Sequence, residues 1–499
     1  MTAKADATAR QRKPPSRQSW HAIDWQQVHA QVRRMQERIA KAMRAGQTRR
    51  VNALQWLLTH SWYAKLLAIK RVTTNKGKRT PGVDGVLWTT PEAKLQAARD
   101  LRRRGYHPLP LRRVYIPKAH GKRRPLGIPT MHDRAMQALY LLALAPVAET
   151  QADGNSYGFR EYRCTADAIE QGFNCLAKKT SGAWVLEGDI KACFDQISHE
   201  WLIKHVLMDQ RILRVWLQAG YIWHGELFPT VAGTPQGGII SPTLANLALD
   251  GLEQAIVRAA SPQTAHFIRY ADDFLVIARS ETVLTEQVQP EIERFLAARG
   301  LLLSPEKTLM TKIDNGFTFL GQHLRKYRNG PQRKLIITPS RPNVARFLER
   351  VQAFISASYH LTRTVLVAAL NKKIRGWANY HRSICAKQTF ARVDHAIFHA
   401  LMRRERRLNP TMGKREILRR YFTQGLYGGE RKSAPQEHRP QPQLVLAAHT
   451  PIIRHTKIKS QANPYAKEDA EYFAKRREQR RHLRKEMCQS AERLVGPSS

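Results

Sequence analysis

Residues 267–278 spell FIRYADDFLVIA, with two adjacent carboxylates, Asp272 and Asp273, in the middle of an apolar stretch. The apolar residues on either side predict two short strands, joined by a turn that carries both aspartates. Adjacent carboxylates repel each other, and a divalent cation such as Mg²⁺ is the commonest reason to hold them together. A polar turn of a surface hairpin is the simpler alternative, but these flanks are too apolar for a solvated turn. The stretch therefore predicts a metal-binding turn.

A third carboxylate, Asp189, follows Val185 and Leu186, which predict a strand that ends at the aspartate. One single and one paired carboxylate on strands can hold two Mg²⁺ ions about 3.5–4 Å apart. In such a site one ion activates an attacking 3′-hydroxyl, and the other stabilises a pyrophosphate leaving group. Asp189, Asp272 and Asp273 are therefore candidate metal ligands and catalytic residues.

Three segments together resemble the motifs of a polymerase family. They are GDIKACFD at 188–195, GTPQGGIISPTLANLALD at 233–250 and YADD at 270–273. They resemble motifs A, B and C of a reverse transcriptase, more narrowly those of a group II intron-encoded protein. The resemblance implies an α+β right-hand polymerase, with an antiparallel sheet in its fingers and palm. It also implies RNA-templated DNA synthesis from dNTPs with two Mg²⁺ ions, for which Mn²⁺ is an alternative.

The composition predicts a polyanionic partner. Lys and Arg number 83 against 40 Asp and Glu, a formal charge of +43 that no globular fold requires. The alternatives are an acidic membrane surface or a merely supercharged soluble surface. The longest apolar run, 138–148, is too short to span a bilayer, and residues 1–19 lack the apolar core of a signal peptide. Five scattered cysteines without a CxxC pair predict a cytoplasmic, zinc-free protein. When it is bound to DNA, we expect it at the nucleoid.

The N-terminal hundred residues are predicted to hold a disordered basic arm, 1–19, and a helical extension, 20–100. The segment RVTTNKGKRTPGVDG at 71–85 resembles the N-terminal extension of group II intron reverse transcriptases. The family places template and intron-RNA contacts there, which implies nucleic-acid contacts for Lys76, Lys78 and Arg79. A solvated basic loop is the alternative.

Residues 101–340 are predicted to form the fingers and palm. The segment 109–129 predicts a β-hairpin, and in the family a matching hairpin closes over the nucleotide. The resemblance implies that Lys118 and Arg124 hold the triphosphate, although a basic hairpin is usually a solvated edge. The segment SYGFREYRCTADAI at 156–169 resembles the next family block, which implies template or primer contacts for Arg160 and Arg163.

Three further residues receive roles from the resemblance. Phe194 is predicted to exclude ribonucleotides by packing where a 2′-hydroxyl would sit, with a plain core position as the alternative. Gln236, in a loop whose Gly237 and Gly238 permit close backbone approach, is predicted to contact the nucleotide. Lys307 matches the family's motif D lysine and either protonates the departing pyrophosphate or neutralises it.

Residues 341–410 are predicted to form a helical thumb, or maturase domain. Its segments 375–383 and 390–410 resemble the maturase region, and their mixture of aromatic and basic residues suits stacking and phosphate contact. The predicted nucleic-acid contacts are Arg375, Trp377, Tyr380, Arg382, Arg403 and Arg404.

Residues 411–499 are predicted to form a basic DNA- and RNA-binding appendage. The segment 450–473 resembles the end of the family's DNA-binding region, which in other members leads into an HNH endonuclease. That nuclease needs paired cysteines, and only Cys488 lies in this tail. We therefore expect the appendage to lack the endonuclease.

The combined prediction is an intron-encoded RNA-directed DNA polymerase that also assists splicing and supports retrohoming. The implied partners are a group II intron RNA, an RNA template, a DNA primer or target and dNTPs, with no membrane. The oligomeric state stays open, a homodimer being one alternative. Two other hypotheses compete: a non-catalytic RNA-binding splicing factor, and a host-adopted reverse transcriptase in defence or repair. The intact aspartates argue against the first, and the maturase-like segment 375–410 argues against the second.

Overall fold

The structure is a computed structural model that describes residues 19–117, 123–178, 180–261, 264–330, 332–423, 427 and 443–493. The side chains of Asn329 and of residues 483–493 are not part of this description. Lys118, the turn of the predicted hairpin, the basic arm up to residue 18 and the side chain of Cys488 therefore lie outside the described residues. Within the described ranges, no helix combines the length and apolarity needed to cross a bilayer.

Helices surround a hairpin in the N-terminal part of the chain. The first four are α1 (Trp25–Arg44), α2 (Thr48–His60), α3 (Trp62–Thr74) and α4 (Pro91–Asp100). The hairpin strands β1 (Leu111–Pro117) and β2 (Arg123–Ile128) follow, then α5 (Met131–Gln151). Helix α5 is buried nearly all round because α1, α2 and α3 pack against it. The predicted hairpin and the predicted core helix at 132–149 are both confirmed.

The middle of the chain alternates short helices with strands. The helices are α6 (Thr165–Leu176), α7 (Cys193–Gln196), α8 (His199–His205), α9 (Gln210–Leu217), α10 (Ser241–Leu249), α11 (Leu252–Ala260) and α12 (Gln289–Ala297). The strands are β3 (Trp184–Asp189), β4 (Tyr221–Trp223), β5 (Glu226–Phe228), β6 (Ala265–Tyr270), β7 (Asp273–Ala278) and β8 (Leu309–Lys312). One antiparallel sheet has the order β6-β7-β3-β8, and a second sheet has the order β2-β1-β4-β5. The two strands predicted at 267–278 are confirmed as β6 and β7.

The C-terminal part is a three-stranded sheet followed by helices. Strands β9 (Phe317–Phe319), β10 (Gln322–Asn329) and β11 (Gln332–Pro339) pair antiparallel. The helices are α13 (Arg341–Ala357), α14 (Arg363–His381), α15 (Lys387–Leu408), α16 (Lys414–Ile417) and α17 (Ala470–Arg493). The predicted α+β class is thus confirmed.

The sheet β6-β7-β3-β8 is the middle layer between two hydrophobic cores. Alternate residues of β7 point to opposite faces, as a strand requires: Phe274 and Val276 join one core, Leu275 and Ile277 the other. The first core extends through α5 and α10 to the N-terminal helices. The second extends to α13, α14, α15 and residues 444–473. Each core contains residues from more than one predicted domain, so the cores do not mark where one domain ends and the next begins. The domain boundaries therefore stay predictions.

Candidate active site

The three predicted aspartates meet at one end of the middle sheet. Asp189 is the last residue of β3, and the antiparallel register places it directly opposite Asp273, the first residue of β7. Opposite residues of such a pair have Cα atoms about 4.5–5.5 Å apart. Asp272 lies in the tight turn between β6 and β7, after Ala271, whose φ is +60°. Asp272 and Asp273 are adjacent in the chain, and Asp189 lies 83 residues before Asp272. The turn and the strand register together bring these three carboxylates close to one another.

The carboxylates are held in an electrostatically unfavourable arrangement. Burial, followed by the charges of Asp272 and Asp189, raises the pKa of Asp273 to about 6. Burial also raises the pKa of Asp272. Like charges directly opposite each other destabilise a strand pair, so the site calls for a compensating cation. Oxygen donors without sulfur or imidazole suit a hard divalent ion, and the site fits Mg²⁺ or Mn²⁺.

Two cationic side chains reach the carboxylate cluster. The ammonium of Lys307 lies 2.7 Å from Oδ2 of Asp189, and this hydrogen bond raises the pKa of Lys307. Lys307 thus compensates charge where a metal ion would. Arg124, exposed on β2, is close enough to oppose the rise in the pKa of Asp272. Arg124 thus lies within electrostatic range of Asp272, and its triphosphate contact stays a prediction.

The loop before α10 packs against the hairpin β1-β2. The amide of Gly127 donates to the carbonyl of Gln236 at 2.8 Å. Gly237 has φ +120°, and a Cβ there would lie 2.6 Å from the carbonyl oxygen of Gly127. Glycine is needed at this position for contact within the protein, in addition to the predicted approach of a nucleotide. The side-chain amide of Gln236 donates to Oδ2 of Asp195 at 3.2 Å, beside the carboxylates.

Phe194 is half-buried on α7, five residues after Asp189. Its ring meets the ring of Phe159 edge-on, with centroids 6.1 Å apart. Phe159 itself is 55% exposed. The backbone of Phe194 is held by the amide of Thr234, which donates to its carbonyl at 2.6 Å. A partly exposed ring on the element that follows Asp189 is compatible with the predicted exclusion of ribonucleotides, which stays a prediction.

Five predicted nucleic-acid contacts are accessible. Lys76, Lys78 and Arg79 are exposed on a 3-10 turn, and Arg375 and Arg403 are exposed on α14 and α15. The 3-10 turn is tied to α5 by Arg134, which sequence analysis missed. The Arg134 guanidinium is buried and donates to the carbonyls of Gly77 and Thr80.

Three predicted nucleic-acid contacts are wrong because the side chains are buried. Arg160 is 6% exposed and donates twice to the carboxylate of Glu149. Arg163 is 1% exposed and donates to the carbonyl of Ser460 at 2.9 Å. Arg404 is 4% exposed and pairs with Glu405 at 2.7 Å. These guanidinium groups compensate buried carboxylates and carbonyls, so no phosphate can reach them.

Three thumb residues keep partial exposure alongside protein contacts. The ring of Trp377 stacks on Phe347, with centroids 4.7 Å apart, and its Nε1 donates to a side chain of α13. The hydroxyl of Tyr380 donates to the carbonyl of Leu320 at 2.7 Å. Arg382 is half-buried, and its carbonyl accepts from the amide of Ile453. The nucleic-acid contacts of Trp377, Tyr380 and Arg382 stay predictions.

Sequence analysis also missed a buried ionic cluster behind the sheet. Oδ1 of Asp167, on α6, accepts from Nε2 of His455 at 2.8 Å, the amide of Ile458 at 2.8 Å and Arg476 at 2.9 Å. The thiol of Cys164 donates to the other carboxylate oxygen of Asp167, Oδ2, at 3.1 Å. Cys164, Asp167 and His455 are spaced closely enough for a metal. The guanidinium of Arg476 already occupies that carboxylate, so the cluster serves to anchor the C-terminal segment.

Comparisons with protein families cover most of the chain. Residues 116–324 match the family model for reverse transcriptase (RNA-dependent DNA polymerase). Residues 20–101 match the N-terminal domain of reverse transcriptase, and residues 344–422 match the group II intron maturase-specific domain. These matches confirm the predicted activity and right-hand polymerase fold, and they imply a general requirement for a divalent metal.

Several proteins are similar to this chain over long stretches. Protein YkfC of Escherichia coli (strain K12) is 35% identical over 345 residues, covering 60% of this chain and 89% of YkfC. Group II intron-encoded protein LtrA of Lactococcus lactis subsp. cremoris is 29% identical over 335 residues, covering 53% of this chain and 55% of LtrA. The uncharacterized 91 kDa protein in cob intron of Schizosaccharomyces pombe is 26% identical, covering 65% of this chain and 50% of that protein.

The chain spans only about half the length of the two intron proteins. The maturase-specific match and the intron-encoded relatives favour the predicted function over both alternative hypotheses. The chain therefore belongs to the family of group II intron reverse transcriptases that carry a maturase domain.

Proposed function

We propose that Asp189, Asp272 and Asp273 hold two Mg²⁺ ions with which the chain extends a DNA primer on an RNA template. The observation that carries this proposal is the register of β3 and β7, which sets Asp189 directly opposite Asp273 and beside Asp272. Burial and the charges of these two neighbours raise the pKa of Asp273 to about 6. Three crowded carboxylates repel one another, and a bound divalent cation relieves this repulsion. When bound, the ions activate the primer 3′-hydroxyl and neutralise charge on the leaving pyrophosphate.

Lys307 is proposed to act on the leaving group. Its ammonium donates to Asp189, one of the proposed metal ligands, and its side chain is 64% exposed. Lys307 would be available to protonate or neutralise the pyrophosphate if a divalent cation took its place on that carboxylate. The side chain is long and exposed enough to change its rotamer.

The other proposed substrate contacts surround the carboxylates. Arg124 approaches them from the hairpin and is proposed to bind the dNTP triphosphate, a role for which guanidinium geometry is well suited. Phe194 is proposed to exclude the 2′-hydroxyl, and Gln236 to contact the nucleotide from beside Asp195. Lys118, outside the described residues, is proposed to assist Arg124.

The same chain is proposed to bind its intron RNA, assist its splicing and support retrohoming. The net charge of +43 supports extensive phosphate contact. Exposed cations stand both before the palm, at Lys76, Lys78 and Arg79, and after it, at Arg375 and Arg403. We propose a cytoplasmic location, at the nucleoid when the protein is bound to DNA.

The proposed catalytic site is tested by Asp272→Ala in primer extension on an RNA template. We expect synthesis at background level, because no neighbouring side chain can replace the lost carboxylate. The matched control is Asp314→Ala. Asp314 lies between β8 and β9, and its carboxylate pairs with Arg333 on β11. The control should extend the primer like the wild type. Substantial synthesis by Asp272→Ala would contradict the assignment.

A further inference from the structure

A fully buried arginine lies directly behind the catalytic turn. Arg269 is 0% exposed and stands in β6, three residues before Asp272. Its Nη1 donates to Oδ1 of Asn246 at 3.1 Å and to the carbonyl of Ala271 at 3.4 Å. Its Nη2 pairs with Oδ1 of Asp250 at 2.5 Å. One guanidinium thus connects helix α10 and its C-terminal end with the residue that precedes the catalytic aspartates.

The backbone of Arg269 extends this connection to a third segment. Its amide donates to the carbonyl of Asn155, and its carbonyl accepts from the amide of Tyr157, both at 2.9 Å. The side-chain amide of Asn246, which accepts from Arg269, also donates to the carbonyl of Gly158 in the same segment at 2.8 Å. A Cβ on Gly158 would lie 2.3 Å from the amide nitrogen of Ala271. The loop at 155–158 is therefore pressed against the catalytic turn.

The turn needs such support because its backbone is strained. Ala271 has φ +60°, a left-handed conformation that costs a non-glycine residue about 1–2 kcal/mol. Such a conformation persists only where the surroundings determine it. The hydrogen bond from Arg269 to the Ala271 carbonyl and the packing of Gly158 against its amide hold both sides of this residue.

Asp250 keeps the guanidinium in place. Its side chain is 6% exposed, and burial raises its pKa to about 7 although the positive charge of Arg269 opposes the rise. A buried ion pair contributes little to net stability, whereas the loss of one partner leaves an uncompensated charge. The pair between Arg269 and Asp250 therefore matters more for the geometry of the guanidinium than for net stability.

We propose that Arg269 is a positioning residue for the metal site. It fixes the conformation of Ala271, so that Asp272 and Asp273 are presented to the ions together with Asp189, and Asn246 and Asp250 orient its guanidinium. This inference rests on the metal assignment proposed above. Groups that orient metal ligands typically change metal affinity or activity about 10- to 100-fold when they are replaced.

The test is Arg269→Lys, assayed by primer extension over a series of Mg²⁺ concentrations. Lysine retains a positive charge, but its single ammonium nitrogen cannot occupy the Nη1 and Nη2 positions at once. It therefore cannot pair with Asp250 and also donate to both Asn246 and the Ala271 carbonyl. We expect the Mg²⁺ concentration for half-maximal rate to rise about tenfold, with a much smaller change in the KM for dNTP. Asn246→Ala, which removes the side chain that orients Nη1, should shift the Mg²⁺ dependence in the same direction.

The matched control is Arg404→Lys, because Arg404 is an equally buried guanidinium paired with a carboxylate on α15. It should lower the melting temperature while leaving the Mg²⁺ dependence unchanged. A wild-type Mg²⁺ curve for Arg269→Lys would overturn the positioning role. If Arg269→Lys fails to fold, Asn246→Ala decides: a shifted curve supports the role and an unshifted curve overturns it. Activity of Asp272→Ala would instead overturn the metal assignment itself.

Discussion

Replacing His455 with glutamine is expected to loosen the C-terminal segment in a pH-dependent manner. His455 is 20% exposed and donates to the fully buried carboxylate of Asp167, on the opposite side of the sheet from the N-terminal helices. Burial lowers the pKa of His455, but the hydrogen bonds and charges of Asp167 and Cys164 together outweigh burial and raise the pKa to about 9. The imidazole is therefore protonated when the segment is docked.

The magnitude follows from this pKa. A rise from 6.5 to about 9 corresponds to roughly 3 kcal/mol of stability for the docked segment, or on the order of 100-fold in its opening equilibrium. Because the pKa is raised on docking, this stability is fully present below pH 6.5 and is lost as the pH rises through 9. Glutamine can still donate to Asp167, but its contribution does not change with pH.

The assay is hydrogen exchange at the Ile458 amide, which donates to the same carboxylate oxygen as His455. Protection, corrected for intrinsic exchange, is compared between wild type and His455→Gln at pH 6, 7.5 and 9. We expect on the order of 100-fold weaker protection in the variant at pH 6, falling to about twofold at pH 9. Cys164 and Arg476 face the cluster in both proteins, so their effects cancel in the comparison.

His395→Gln is the control, since His395 is exposed on α15 and contacts only its neighbour His399 among the described ring and hydrogen-bond partners. It should leave Ile458 protection unchanged at every pH. A difference between wild type and His455→Gln that is the same at pH 6 and pH 9 would refute the charged His455–Asp167 pair.

Two further predictions concern substrate choice and the separation of functions. Phe194→Val should raise the incorporation of rNTPs relative to dNTPs about tenfold in competitive primer extension, because it removes the ring that we propose excludes the 2′-hydroxyl. Unchanged discrimination would make Phe194 a packing residue. Arg375→Gln combined with Arg403→Gln should weaken intron-RNA binding and reduce its salt dependence in filter-binding titrations, because fewer counterions are released. Asp272→Ala should bind the RNA and assist splicing like the wild type, and loss of splicing in a folded Asp272→Ala protein would contradict two separable functions.

The sequence alone located the three carboxylates that we propose as catalytic, because their signals are local. Asp272 and Asp273 are adjacent within an apolar stretch, and Asp189 ends another, so strand patterning was enough to locate them. The hairpin at 109–129 and the buried helix α5 were predictable for the same reason. The motifs also identified the family, which the comparisons confirmed.

Tertiary structure decided which charged side chains are available. In the sequence, three arginines cannot be told from exposed arginines that contact phosphate: Arg160, Arg163 and Arg404. In the structure each of them is buried against carboxylate or carbonyl oxygen atoms. For Arg163 one of these oxygens belongs to Ser460, 297 residues further along the chain. Charge is a property of the residue, whereas burial depends on which distant element packs over it.

The same distinction explains why Arg269 and His455 could not be recognised from sequence. Arg269 is one more cation next to YADD, and only the fold shows that it faces inward to Asn246, Asp250 and the Ala271 carbonyl. His455 acquires its charged state from Asp167, 288 residues away. Sequence by itself determined where the proposed metal ligands lie, because strand alternation and adjacency are encoded within a few residues. Only the tertiary structure decided what supports those ligands, because hydrogen bonds and ion pairs between distant segments form when the chain folds.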